Sequence, residues 1–196
     1  MNHQLLNDLL TLKQRDTDMR THLLGEGKLY DGYAPEMQQV HRDNAIALNE
    51  IVSKYGWPGI SLVGLEGCRA AWLIAQHSIC TPELQRKFLT LLTMASDIAE
   101  APKPQVAFLT DRIRFNENRP QVYGTVLDWN ENGELSCDVE DPANLDNRRN
   151  AVGLALFREE LEIHRTEVKS EGGMPPKDYT AYKRQGLEWA SSVGWL

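Results

Sequence analysis

Leu5, Leu9, Leu12, Met19 and Leu23 recur at helical spacing, with Leu6 and Leu10 beside them, so residues 4–24 read as a helix with one inward face. Gly25-Glu26-Gly27 predicts its end, and residues 28–35 read as a tyrosine-bearing loop. From Pro35 to Tyr55 a second helix places Leu48, Ile51, Val52 and Tyr55 on one side. Gly56-Trp57-Pro58-Gly59 stops it, because Pro58 cannot continue a helix and pushes Trp57 towards an extended backbone. A third helix runs from about Glu66 to Ser78, rich in alanine and carrying Trp72, Leu73 and Ile74. Thr81-Pro82 opens a fourth, a hydroxyl N-cap followed by proline at the first helical position. Its apolar face is Leu84, Phe88, Leu91, Leu92, Ala95 and Ile98, and Ala101-Pro102-Lys103-Pro104 closes it. Short connections make these helices antiparallel neighbours in one core.

The pattern then changes. Ile113, Phe115, Val122, Tyr123, Val126, Leu127 and Trp129 favour strands, interrupted by Asn116-Glu117-Asn118 and by Asn130-Glu131-Asn132-Gly133. The second interruption ends in Asn-Gly, a hairpin signal. The expected fold is therefore α+β, a mainly helical core of four to five helices with a small antiparallel meander over about 112–140. Asp146 then caps a helix reaching Glu162, with Leu154, Phe157 and Leu161 inward. Gly172-Gly173-Met174-Pro175-Pro176 is a linker, and Asp178 to Ala190 a last helix with Tyr182 and Trp189. This predicts one domain over 1–170 with residues 171–196 appended as linker and helix, without internal repeats.

Charge and composition narrow the classes. The chain of 196 residues carries 21 Lys+Arg against 28 Asp+Glu, so 21 − 28 = −7. That balance argues against a protein that coats nucleic acid or an anionic membrane. No apolar run reaches the roughly 18–20 residues of a membrane span, and Met1-Asn2-His3-Gln4 opens without the basic region of a signal peptide. Cys68, Cys80 and Cys137 form no C-x-x-C pair. They point to a reducing cytoplasm and give no zinc framework, so no metal and no cofactor is expected. The cysteines read as packing residues rather than nucleophiles.

His77 is the most informative single residue. It follows Ala70, Leu73 and Ile74 on one helix face, where an imidazole is either an acid or base near neutral pH or a core histidine bonded to backbone. Asp111-Arg112 lies where helix-like sequence passes into the expected meander. The carboxylate there can orient an imidazole and the guanidinium can grip an anion, or the two form a local ion pair. Asp16 and Arg20, four apart on the first helix, read as a surface pair, although Asp16 falls in register with the leucine stripe. In Gln121-Val122-Tyr123-Gly124-Thr125, strand alternation would put Gln121, Tyr123 and Thr125 on one face, and Gly124 admits a close neighbour. Arg148-Arg149 sits in a first helical turn, where the dipole disfavours cations and a partner anion is implied. No G-x-S-x-G, P-loop, G-x-G-x-x-G or H-E-x-x-H is present, and His41-Arg42-Asp43-Asn44 echoes a kinase loop only superficially.

Taken in order, Gly56-Trp57-Pro58, Val63-Gly64, Gln76-His77, Asp111-Arg112, Gln121-x-Tyr123-Gly124-Thr125, and Arg148-Arg149 with Gly153-Leu154 resemble the bacterial domain of unknown function 6624 family over roughly residues 5–165. Asp16 and Arg20 look like that family's opening aspartate-and-arginine pattern. The chain departs from it at Val126, where the family commonly has glutamine, and at His41, where it commonly has aspartate. A recurring set of polar residues is not a packing signature, so the resemblance moves His77 and Asp111 towards a functional role.

The reading that follows is a small metal-independent enzyme acting on a polar, anionic small molecule or peptide-like substrate, with hydrolysis ranked first. His77, Asp111 and Tyr123 are its catalytic group, and Arg20, Gln76, Arg112, Gln121, Thr125 and Arg149 its substrate contacts. Asp111 is expected within hydrogen-bond reach of His77. The alternatives are a non-catalytic binding or immunity-type module built on a structural polar network, and a ribonuclease-like effector.

Overall fold

In the computed structural model, which describes residues 1–29 and 32–196, the first three amphipathic patterns become α1 (His3–Gly25), α2 (Pro35–Tyr55) and α3 (Ile60–His77). Two residues of the expected tyrosine loop, Tyr30 and Asp31, lie outside the described residues. They are followed by α4 (Pro82–Asp97), α5 (Lys103–Asn116), the two-residue strands β1 (Asp128–Trp129) and β2 (Leu135–Ser136), a 3₁₀ turn at Pro142–Asn144, α6 (Leu145–Ala151), α7 (Phe157–Ser170) and α8 (Tyr179–Val193). Two compact units emerge, Met1–Val106 and Ala107–Leu196, and the division falls within α5. Among the described residues no helix is long and apolar enough to cross a membrane.

The first unit buries the stripes that the sequence displays. Leu5, Leu9 and Leu12 of α1, Leu48 and Val52 of α2, Val63 and Ile74 of α3, and Phe88 and Leu92 of α4 are all removed from water. Each such side chain contributes about 1.5–3 kcal/mol relative to exposure. The Asn2 side chain caps α1 by accepting from Leu5 N–H. The Gly25–Gly27 stretch ends the helix, with Lys28 N–H on Leu23 O and Gly27 N–H on Leu24 O.

Helix α3 starts six residues before the expected Glu66 because its cap comes from far away. Glu100 accepts from Ile60 N–H with its backbone oxygen at 2.9 Å and from Ser61 N–H with its carboxylate at 2.8 Å. A negative charge at a helix N-terminus is favourable, and periodicity around residue 60 cannot reveal it. Inside α3, Gly64 breaks the helical backbone with φ 72° and ψ 172°.

The α+β expectation is overturned. Eight α-helices occur among the described residues, and the only sheet is β1 paired antiparallel to β2, Asp128 opposite Ser136 and Trp129 opposite Leu135. Neither a core of four to five helices nor a meander over 112–140 is present. Residues 112–116 instead complete α5. Asn118, at φ 51°, ends that helix, with Arg119 N–H on Arg114 O and Asn118 N–H on Phe115 O. The turn chemistry of Asn116-Glu117-Asn118 was real, but it closes a helix. The Asn130–Gly133 hairpin turn does form, with Gly133 N–H on Asn130 O.

Residues 121–127 form no strand because side chains meet their backbone in place of a neighbouring strand. Gln121 bridges in isolation to Val139, and its own amide donates to Val126 O and accepts from Val126 N–H. The expected helix from Asp146 to Glu162 is interrupted between α6 and α7, where Leu154 N–H and Val152 N–H turn back onto Arg149 O. The tail helix α8 is capped by Asp178, which accepts from Ala181 N–H. It is tied to β1 by the Tyr182 hydroxyl and Lys183 ammonium on Asp128.

The backbone at Gly64 lies in a region essentially closed to residues with a side chain, and an added Cβ would come 3.4 Å from Met1 Sδ. Gly64→Ala is therefore expected to lower stability by about 1–3 kcal/mol from backbone strain alone, read as a fall in the urea midpoint without a change in slope.

Candidate functional site

The helical stripes that build the first unit carry polar residues inward, and α1, α2 and α3 each bring one of them to a common cluster: Asp16, His41 and His77. On α1 the buried positions are Leu5, Leu9, Leu12, Asp16 and Leu23. On α2 they are Met37, His41, Asn44, Ala45, Leu48 and Val52. The last residue of α3 is His77. These three polar residues meet. His77 Nδ1 lies 2.8 Å from Asp16 Oδ2, and His41 Nε2 lies 3.1 Å from the same oxygen. The two imidazole centroids are 5.1 Å apart, and Tyr33 Oη is 2.6 Å from His41 Nδ1.

The side chains of Asp16 and His41 are only 4% and 8% exposed, whereas that of His77 is 32% exposed. The cluster therefore has a sealed inner part and one member that reaches solvent. His77 Nε2 makes no hydrogen bond among the described residues. For Asp16, burial alone would raise the carboxyl, and it is the largest single effect. The bonds and charges of His41 and His77 together outweigh it and hold the group well below the usual carboxylate range. Burial, reinforced by Cys80 and Asp16, pushes the Tyr33 hydroxyl well up, so it keeps its proton at any ordinary pH.

His77 thus has a carboxylate partner, but it is Asp16 and not Asp111. The expected His77–Asp111 pairing fails because each residue finds its partners inside its own unit. Asp111 is fully buried, and its carboxylate accepts from Val122 N–H at 2.8 Å, from Tyr123 N–H at 3.1 Å, and from both Thr125 N–H and its hydroxyl at 3.0 Å. Burial pushes its carboxyl up, and the donors of Thr125, Val122 and Tyr123 draw it part of the way back. On the same segment Arg148 donates to Val122 O, while Arg149, 1% exposed, donates to Tyr123 O and to Ala155 O, each at 2.7 Å. Gly124 takes φ 63°, and a Cβ there would meet Cys137 Sγ at 3.1 Å and the Phe157 ring at 3.2 Å.

Of the remaining expected contacts, Gln121 holds the backbone of Val126, Thr125 donates its N–H and hydroxyl to Asp111, and Tyr123 engages Asp111 and Arg149 through its main chain. Arg112 lies on α5. Gln76 is buried beside His77 on α3, and Arg20 lies exposed on α1, one turn beyond Asp16. A cleft of about 430 Å³ in the second unit, lined by Trp129, Leu135, Arg165, Val168, Met174 and Pro175 among others, contains none of these positions. Burial raises all three thiols, that of Cys137 to about 11, which leaves no activated cysteine.

His41 and Tyr33 are the members of the cluster that residue patterns did not single out. The signal was present for His41, since Met37, Asn44, Ala45 and Leu48 share its helix face. Asp16 carried its own signal in the register of the leucine stripe.

A helical protein with a sealed carboxylate held between two imidazoles, one of them open to solvent, is the class that fold and site define. The chain belongs to the family of unknown function DUF6624, whose model matches residues 3–168. No curated protein and no solved structure matches it.

Two outcomes separate scaffold from site. Asp111→Asn replaces one acceptor oxygen with an NH2 donor that faces the N–H and O–H donors of Val122, Tyr123 and Thr125, and a loss of about 2–3 kcal/mol is expected. His77→Ala removes one of the two imidazoles that meet the sealed Asp16 carboxylate, at a helix end where water can take its place, and a smaller loss of about 1–2 kcal/mol is expected; paired denaturant curves check both. The acid limb of stability is set in part by Asp16. Because its folded-state pKa lies below the unfolded value of 3.8, its contribution is complete above that value and disappears as pH falls through it towards the folded one. Asp16→Asn is therefore expected to lie furthest below the parent at neutral pH and to converge with it in acid, as read by urea titrations at stepped pH.

Proposed function

We propose that the protein is a small metal-independent enzyme that uses His77 for acid–base hydrolysis of a polar, anionic small molecule or peptide-like substrate. The observation that carries this reading is the 2.8 Å contact of His77 Nδ1 with the sealed carboxylate of Asp16, on a side chain whose other nitrogen faces solvent. Asp16 replaces Asp111 in the role first expected. It keeps the His77 proton on Nδ1, so Nε2 presents a lone pair to an incoming water. As the water oxygen bonds to the substrate, its proton passes to Nε2. The imidazolium formed is stabilised by Asp16 and by its place at the end of α3, and then returns the proton to the leaving group.

The rest of the cluster fits this proton inventory. With Tyr33 donating to His41 Nδ1, the His41 proton sits on Nε2, 3.1 Å from the Asp16 oxygen that His77 shares though off the line of a hydrogen bond. Both imidazoles then reach one carboxylate as neutral donors and no buried charge is left unmet. Arg20, one helical turn from Asp16, is the cation at hand for an anionic substrate group. The setting proposed is the cytoplasm, in keeping with three free cysteines.

A second reading rests on the same convergence. Asp16, His41 and His77 each offer one ligand atom, all within 4.8 Å of one another, and two imidazoles with one carboxylate are a donor set suited to zinc or a related divalent ion. It requires the opposite tautomer at His41, with Nδ1–H donating to Tyr33 and Nε2 carrying a lone pair.

The test is a hydrolysis screen over phosphate esters, carboxylic esters, short peptides and bulk RNA, run with the parent, His77→Ala and Asp16→Asn, each with and without a chelator. The expected result is turnover that falls about 100- to 10,000-fold in His77→Ala and is indifferent to the chelator. Turnover that survives His77→Ala overturns the acid–base reading. Turnover abolished by chelator and restored by Zn²⁺ or Co²⁺, with tetrahedral cobalt absorption, selects the metal centre.

A further inference from the structure

In the second unit most arginines have clear employment. Arg114 binds Pro120 O and Glu140, Arg148 binds three backbone oxygens, and Arg149 binds Ala155 O and Tyr123 O with Glu160 at 3.8 Å. Arg112 departs from this pattern. Its Nε is sealed from solvent with no acceptor, and among the described residues its guanidinium makes no hydrogen bond and no ion pair. Burial weakens its hold on the proton, and Asp128 is the one charge that offsets this. Asp128, however, already receives the Tyr182 hydroxyl and the Lys183 ammonium.

One helical turn further along α5 lies Asn116, 6% exposed, whose amide Nδ2 is likewise buried without an acceptor. Positions four apart share a helix face. Two side chains on one side of α5 therefore each hold a sealed donor, Arg112 being half-buried as a whole and Asn116 buried, and buried donors are ordinarily matched. A guanidinium offers a planar fork for two oxygens, and an amide N–H beside it can take one of them.

We infer that the face of α5 bearing Arg112 and Asn116 is a binding site for an oxyanion, the carboxylate or phosphate group of a small molecule. The inference rests on second-unit residues alone and does not depend on the hydrolytic reading.

Thermal melting of the full chain tests it, with inorganic phosphate, succinate, or sodium chloride at matched ionic strength. The parent is expected to gain about 5 °C from phosphate or succinate at saturation, and the better of the two identifies the oxyanion class. Arg112→Gln is expected to lose that gain. Asn116→Asp places a carboxylate beside Arg112 within the chain, so it is expected to melt higher than the parent in chloride and to show no response to added anion. The inference is overturned if the parent melts alike in all three salts, if Arg112→Gln keeps the response, or if Asn116→Asp melts lower than the parent. The last variant decides the matter even where Arg112→Gln does not fold.

Discussion

Asp111 is wholly removed from water, and an ionised carboxylate persists there only while Val122, Tyr123 and Thr125 keep their donors on it. That requirement organises the second unit. Val122, Tyr123 and Thr125 turn their N–H groups to Asp111, and Val122, Tyr123 and Gly124 turn their carbonyls to Arg148 and Arg149, so side chains satisfy a backbone that neither helix nor sheet accommodates. Gly124 supplies the left-handed corner, and Cys137 and Phe157 close over it. Most of the polar motif residues of this half thus act on the chain itself.

How much of this was readable beforehand follows from the range of the interactions. Helices α1, α2 and α4 were visible because their apolar stripes and caps lie within a few residues of each other. The true start of α3 depends on Glu100, some forty positions away, and so left no local trace. The β-forming residues at 113, 115, 122 and 123 point to strands, but 113 and 115 complete α5 and the tertiary clamp on Asp111 overrides the preference at 122 and 123. The same holds for the site. Placing His77 on an inward face was sound, but the choice of Asp111 as its partner came from motif order, which carries no distance. Asp16 sat in the leucine stripe of α1, where a charge is costly unless something meets it. That anomaly was the better guide, and it would equally have drawn attention to His41 on the apolar face of α2.

The two units handle a buried carboxylate differently. Asp111 is met by main-chain donors, which cannot change protonation, and it is locked. Asp16 is met by imidazoles, which can, and one of them touches solvent. A carboxylate held by backbone amides makes a rigid joint, whereas one held by histidines makes a place where protons or a cation can exchange. This contrast, more than any motif, separates architecture from chemistry in this chain.

The separation of 61 residues between Asp16 and His77 also bears on how the protein is made. During synthesis α1 leaves the ribosome before α2 and α3, with a carboxylate embedded in its leucine stripe, and α2 brings only His41 to meet it. Closing α1 onto α2 at that point would enclose the charge half-matched, and the hydrophobic gain would be opposed by its desolvation. The carboxylate is fully matched only once the end of α3 brings the second imidazole, so the full gain from packing α1 against α2 depends on a third helix.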